Sequence, residues 1–233
     1  MIDIHCHMTY GVDDGSKSIE ESVAMLQEAK NQGIKAIILT PHYRHGMFTY
    51  PIEEIEEHYN QLKAYSDEMG IGLYLGAEYH VNSHMMEAFS GNRCHSLADS
   101  RYILTEYSFY SEFSYAAQMT QEAIRFGYVP VIAHIERYGF VMNNPDCVLE
   151  LQNMGALIQA NADAILGLEG RKIKKLCKYL MKQGFIDIVA SDSHGIKERA
   201  CHMKKCYDYV TKKYGADVAQ KLFVTNPVQI IPE

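Results

Sequence analysis

The chain has 233 residues, 47% hydrophobic and 22% charged, which suits a water-soluble enzyme with a core that needs no disulfide or structural metal. A formal net charge of −7 and a pI near 5.9 exclude a general basic surface, and with it a nucleic-acid partner, but leave room for a small phosphorylated group. No apolar run approaches the roughly 20 residues of a membrane span, the start shows no signal-peptide pattern, and the six Cys form no C-x-x-C pair, so the expectation is a cytoplasmic protein without membrane insertion.

In chain order, short apolar runs predict strands at Ile2–Cys6, Lys35–Thr40, Leu73–Glu78, Tyr102–Tyr107, Val129–His134, Ala156–Ala160 and Asp187–Ser191. Between the first two, Ser18 and Glu21 form a capping box, Ile19, Val23, Leu26 and Ala29 recur at helical spacing, and Gly33 ends the helix. A second helix starts at Pro51 and carries Ile52, Ile55, Tyr59, Leu62 and Met69 on one stripe. Further helices are predicted near Ser114–Phe126, Asp146–Met154, Lys172–Gln183, Ala200–Tyr214 and Asp217–Leu222. Seven strands alternating with helices imply a parallel α/β barrel in a single domain over residues 1–233, with its chemistry at the C-terminal strand ends.

Those ends carry the polar residues. His5 and His7 form H-x-H, and alternation along a strand points both imidazoles one way and Cys6 the other. His42 follows the second strand, Glu78 ends the third, Glu106 the fourth and His134 the fifth. Asp192 and His194 stand in S-D-S-H after the last, and Asp14 sits in the glycine-flanked loop after the first. Any one of these could be an ordinary turn or a hydrogen-bonded histidine. Delivered together to one barrel mouth, five His and four carboxylates are too costly to bury without cations. They exceed what one ion needs, and a nitrogen and oxygen set without thiolate suits two or three ions of Mn, Fe or Zn. Such ions lower the pKa of water and attract phosphate.

M-I-D-I-H-C-H, V-D-D-G, T-P-H-Y-R-H-G-M-F, Glu78 in G-A-E, V-I-A-H-I-E-R-Y, S-D-S-H and the closing T-N-P resemble the PHP (polymerase and histidinol phosphatase) superfamily. More narrowly they resemble the manganese-dependent protein-tyrosine phosphatases of Gram-positive bacteria, from Met1 to about Ile231. The resemblance implies a PHP-type distorted (β/α)7 TIM-like barrel holding two to three Mn2+ ions. It also implies a phosphotyrosine protein substrate, a bacterial tyrosine kinase controlling capsular and exopolysaccharide synthesis. It places His5, His7, Glu78 and Asp192 around one metal, with Glu78 bridging to a second held by Glu106 and His134. Asp14, His42 and His194 take the third. Arg137 and, across a looser match in K-E-R-A-C-H-M, Arg199 are implied to bind phosphate; the place of His194 and Asp192 beside the metals, apart from the resemblance, makes either the expected aid to the leaving group. His80 lies outside this pattern.

The sequence carries its own check on mechanism. Cysteine-dependent tyrosine phosphatases need an Arg six residues after the Cys, and here those positions hold Val12, Ser100, Asn153, Gln183, Tyr207 and Lys212. The nucleophile is therefore expected to be metal-activated water. The rival expectations are a histidinol-phosphate phosphatase and a non-catalytic, metal-containing module that binds phosphoprotein.

Overall fold

The computed structural model describes residues 1–48 and 50–232. Its strands are β1 (Ile2–Cys6), β2 (Ala36–Leu39), β3 (His42–Tyr43), β4 (Gly72–Leu75), β5 (Glu78–His80), β6 (Tyr102–Glu106), β7 (Val129–Ile132), β8 (Leu157–Asn161) and β9 (Ile188–Ala190). Its helices are α1 (Ile19–Asn31), α2 (Ile52–Met69), α3 (Met85–Ser90), α4 (Phe113–Arg125), α5 (Gly139–Asn143), α6 (Cys147–Met154), α7 (Ala162–Leu166), α8 (Arg171–Gln183), α9 (Met203–Tyr214) and α10 (Ala216–Gln220).

All pairings between these strands are parallel, in two sheets ordered β1-β2-β4 and β3-β5-β6-β7-β8-β9. The sheets are continuous through the chain, because β2 runs into β3 and β4 into β5 across two-residue breaks. Counted as runs, the described residues form seven strands, and the last meets the first through a parallel bridge between Cys6 and Ser193. This is the distorted, TIM-like (β/α)7 arrangement. The expected strand Leu73–Glu78 divides at Gly76, whose N–H turns to the Leu39 carbonyl, 2.8 Å away. No side chain fits there, since a Cβ on Gly76 would lie 2.9 Å from Leu97 and 3.1 Å from Ile38.

Helix signals in the sequence hold to within a few residues. Ser18 caps α1, its hydroxyl accepting from the Glu21 N–H at 3.4 Å, while the Glu21 carboxylate accepts from Lys17 N rather than closing the box on Ser18. Pro51 caps α2 instead of lying in its first turn. The expected helix Ala200–Tyr214 begins only at Met203.

The larger core cluster joins the outward strand residues Ile37, Leu39, Ile103, Ile132, Ile158 and Val189 to helix residues such as Leu26, Leu62, Met119 and Leu180. A smaller cluster of Ile2, Ile4, Ile38, Leu104, Val131, Ala133 and Ala190 fills the opposite, interior faces. Above it, toward the C-terminal strand ends, the interior positions become polar. Among the described residues no helix is long and apolar enough to cross a membrane.

Candidate metal centre

Strict alternation would send His5 to the face opposite Ile4. The β1–β2 register shifts between Asp3 and Cys6, and this irregularity lets Ile4 stay in the interior cluster while His5 and His7 also turn inward. Cys6 points out into the larger cluster, as the H-x-H pattern predicts. Register places His42 directly across from Glu78 in the β3–β5 pair, and Glu106 across from His80 in the β5–β6 pair, so Glu78 and Glu106 are diagonal neighbours on one face. His134, Asp192 and Arg199 reach the site from left-handed backbone, at φ 32°, 53° and 48°. Non-glycine residues in that region cost on the order of 1–3 kcal/mol each and persist where surroundings over-determine them. Here His134 N–H is bound by Gln159 Oε1 at 2.9 Å and Asp192 N–H by the His5 carbonyl at 2.8 Å.

All nine side chains singled out in the sequence converge. His5 Nε2, His7 Nε2, Glu78 Oε2 and Asp192 Oδ1 form one knot. Its donors lie 3.3 Å apart for His5–His7, His5–Glu78 and His7–Glu78, 3.4 Å for His5–Asp192 and 3.5 Å for His7–Asp192. A tetrahedral ion with arms of about 2.0–2.2 Å has donor edges of roughly 3.3–3.6 Å, so His5, His7 and Asp192 fit three corners of a metal site, while Glu78 meets the two imidazoles at that spacing. Glu78 Oε1 lies 2.7 Å from His134 Nε2, which is 3.8 Å from Glu106. His42 and His194 each bring Nε2 within 3.4 Å of Asp14 Oδ1. His42 also sets Nδ1 3.0 Å from Glu78 Oε2, and so belongs to two groups of potential ligands, with Asp14, His7 and His194 and with Glu78 and Glu106. Three buried atoms of this set, His42 Nδ1, His194 Nε2 and Glu106 Oε2, make no aligned hydrogen bond among the described residues, the first two despite their closeness to Glu78 and Asp14. Orphaned donors and acceptors aimed into one centre also fit ion binding. His80 joins none of these groups.

The other histidine nitrogen is in most cases held from behind. Nδ1 meets Asp13 Oδ2 at 2.8 Å in His7, Gln159 Oε1 at 3.2 Å in His5, the Asp192 carbonyl at 2.9 Å in His194 and the Tyr138 hydroxyl at 3.4 Å in His134. Such partners fix ring orientation and leave Nε2 to face the centre. Asp13 also accepts from the backbone N–H groups of His42 at 3.0 Å and Gly15 at 2.8 Å. Gly15 cannot be larger, because its Cβ would stand 2.1 Å from the His7 carbonyl. Asp13, Gln159 and Asn161 carry no metal-site signal in the sequence. The available clue was Q-A-N at the end of β8, with Gln159 and Asn161 two apart and facing inward.

Burial opposes charge on Glu78 and Asp192. His5, His42 and His134 around Glu78, and His5, His7 and Arg137 around Asp192, nevertheless hold both carboxyls well below the usual range. Burial and the Glu78 charge push Glu106 up to about 7, and burial with His7 lowers His194 to about 4. Burial also opposes charge on His5 and His7, but Glu78 and Asp192 beside one and Asp13 beside the other raise both above the ordinary histidine value. Both arginines reach the same carboxylate. Arg137 Nη1 donates to Asp192 Oδ2 at 2.9 Å, and Arg199 Nη2 to both Asp192 oxygens at 3.2 Å, with Nη1 on Asp14. Beside them opens a cleft of about 530 Å3 lined by Asp14, Lys17, His194 and Arg199.

Known proteins resemble this chain in fold and in sequence. A crystal structure from work on YwqE from Bacillus subtilis and CpsB from Streptococcus pneumoniae, metal-dependent tyrosine phosphatases, superposes with TM-score 0.92 at 30% identity, covering 99% of this chain and 94% of that one. A histidinol phosphate phosphatase from Lactococcus lactis, crystallised with zinc, L-histidinol and phosphate, shares the fold at TM-score 0.60 and 16% identity, covering 92% and 93%. In sequence, the tyrosine-protein phosphatase CpsB of S. pneumoniae is 38% identical over 99% of this chain and 98% of its own length. The family model described as capsular polysaccharide synthesis, CpsB/CapC, matches residues 1–232. The chain belongs to the CpsB/CapC family.

Proposed function

We propose that this chain is a metal-dependent protein-tyrosine phosphatase that hydrolyses phosphotyrosine on a bacterial tyrosine kinase controlling capsular or exopolysaccharide synthesis. The observation that carries the reading is the four-donor knot with two arginines converging on its Asp192. His5, His7, Glu78 and Asp192 would hold one ion, Glu78, Glu106 and His134 a second, and Asp14, His42 and His194 a third. Manganese is the ion assigned, on the likeness of the motifs to manganese-dependent enzymes. Divalent ions there supply positive charge and bring the pKa of water near neutrality, giving a nucleophile at pH 7.

The protein's own groups do the rest. Arg137 and Arg199 hold the phosphoryl oxygens, a task suited to planar guanidinium forks, and stabilise charge as it develops. Water adds to phosphorus, the bond to the tyrosyl oxygen breaks, and that oxygen takes a proton, giving inorganic phosphate and tyrosine. His194 or Asp192, beside both arginines, passes the proton.

All six cysteines are free and buried, and burial raises every thiol above its ordinary pKa, which supports a mechanism without a cysteine nucleophile and a reducing, cytoplasmic setting. One domain over residues 1–233 is proposed, since strands from both chain ends supply ligands. The test is a side-by-side steady-state comparison with manganese supplied. Phosphotyrosine peptides should exceed phosphoserine peptides and histidinol phosphate by at least about tenfold in kcat/KM, a phenolate being the better leaving group. Preference for histidinol phosphate would move the chain to that activity, and no turnover of any ester would make it a binding module.

A further inference from the structure

Arg137 offers two different edges of its guanidinium to two carboxylates. Nε and Nη2 donate to Glu169 Oε2 and Oε1 at 3.4 and 3.1 Å, while Nη1 donates to Asp192 at 2.9 Å. The five N–H groups lie in one planar fork, so fixing one edge fixes the direction of the other. With the Nε–Nη2 edge taken by Glu169, the edge bearing Nη1 faces Asp192 and the metal ligands. A long arginine side chain otherwise has many rotamers to choose from, and misplacement of a transition-state donor by about 1 Å can cost on the order of 10²-fold in rate.

Glu169 is itself held in place. It lies in the turn after α7, between Gly167 and Gly170, which adopt φ of 88° and 104°. Leu168 N–H to the Asp163 carbonyl at 2.9 Å and Gly170 N–H to the Gly167 carbonyl at 3.3 Å close the turn. Lys174 Nζ ties down the Leu166 carbonyl at 2.9 Å. The strand leading into α7 supports the same corner, because Asn161 Nδ2 donates to Asp192 Oδ2 at 2.8 Å and Asn161 N–H to Glu136 Oε1 at 3.0 Å. Both partners of the Arg137–Glu169 pair are about three-quarters buried, with 24% and 23% of their side chains exposed.

We infer that Glu169 is a positioning residue for phosphoryl transfer: it grips the far edge of Arg137 so that the near edge meets the phosphoryl group in the transition state. This rests on Arg137 binding phosphate, as proposed above. A negative charge beside an anion site does nothing for ground-state affinity, so the benefit of Glu169 should appear in kcat and not in KM.

The test uses the manganese-loaded full chain with an aryl phosphate, comparing wild type, Glu169→Gln, Arg137→Ala and the double variant. Metal content and binding of inorganic phosphate by calorimetry are measured on each. Glu169→Gln should keep its metals, bind phosphate as well as wild type or better, and lose about tenfold in kcat with KM within about twofold. In the Arg137→Ala background it should change nothing further. An unchanged kcat, the same loss in both backgrounds, or a parallel loss of metal would each overturn the assignment. Should Glu169→Gln fold poorly in a thermal melt, Glu169→Asp, which keeps the charge but shortens the reach, serves in its place with the same expectation. A wild type inactive on aryl phosphate would instead defeat the phosphatase reading, leaving that failure distinct from the failure of Glu169.

Discussion

The two ends of the metal centre are built differently. At the inner end, His5, His7 and Asp192 come from or adjoin paired strands, their side chains are 0–3% exposed, and their backs are tied to Gln159, Asp13 and Asn161. At the outer end, Asp14 hangs from the loop after β1 with 49% of its side chain exposed, and its neighbour Arg199 is 41% exposed. The inner donors are spaced for an ion already, so binding there needs little reorganisation. The outer group combines a solvent-facing carboxylate with an arginine and opens onto the cleft. On the proposed reading, tight holding would belong to the strands, and exchange of ions, substrate and product to the loops.

Substitutions at the two ends should separate these roles. The largest effect is expected from His5→Ala, which removes a buried donor of the inner knot. It should lose at least about 10³-fold in kcat/KM and most of the bound metal, beyond the roughly 10–100-fold typical of losing an outer partner. Elemental analysis and steady-state kinetics on the purified variant check this, and near-normal metal content would break the contrast. Asp14→Ala should keep the inner ions, lose about one ion per chain and fall by only about 10–100-fold. If it empties the whole centre, the two ends are one cooperative unit. The smallest effect is expected from iodoacetamide, which should leave the native enzyme active, because all six thiols are buried with raised pKa values. Rapid inactivation prevented by phosphate would place a cysteine in the site.

The ionisable residues of the centre were legible because their types are rare at strand ends and recur at one strand end after another. H-x-H and S-D-S-H could be read without knowing which strands touch. What supports them was hidden for physical reasons. Asp13 sits in a sequence that also makes an ordinary turn, and its role appears only when the loop folds back over His7. Gln159 and Asn161 carry no charge, so they lack the burial cost that exposed the others as a set. Glu169 is 32 residues from Arg137 and looks like any charged loop residue until the guanidinium is placed. The fold followed the same division. Apolar runs marked the seven strand passes, while the two-residue β3 and the break at Gly76 arise from tertiary contacts that no local pattern records.

The seam between the first and last strands sets a timetable for the nascent protein. His5 and His7 leave the ribosome ahead of the other candidate ligands, whereas Asp192 and His194, which complete their surroundings, follow nearly 190 residues later. At about 5–20 residues per second this is a delay of roughly 10–40 s. Through that interval the opening histidines have Asp13, His42 and Glu78 arriving in turn, but no partner for the β1 edge that Ser193 and Asp192 later cover with hydrogen bonds to His7 and His5. A chain interrupted before residue 190 therefore carries seven of the nine candidate ligands but lacks Asp192, His194 and Arg199.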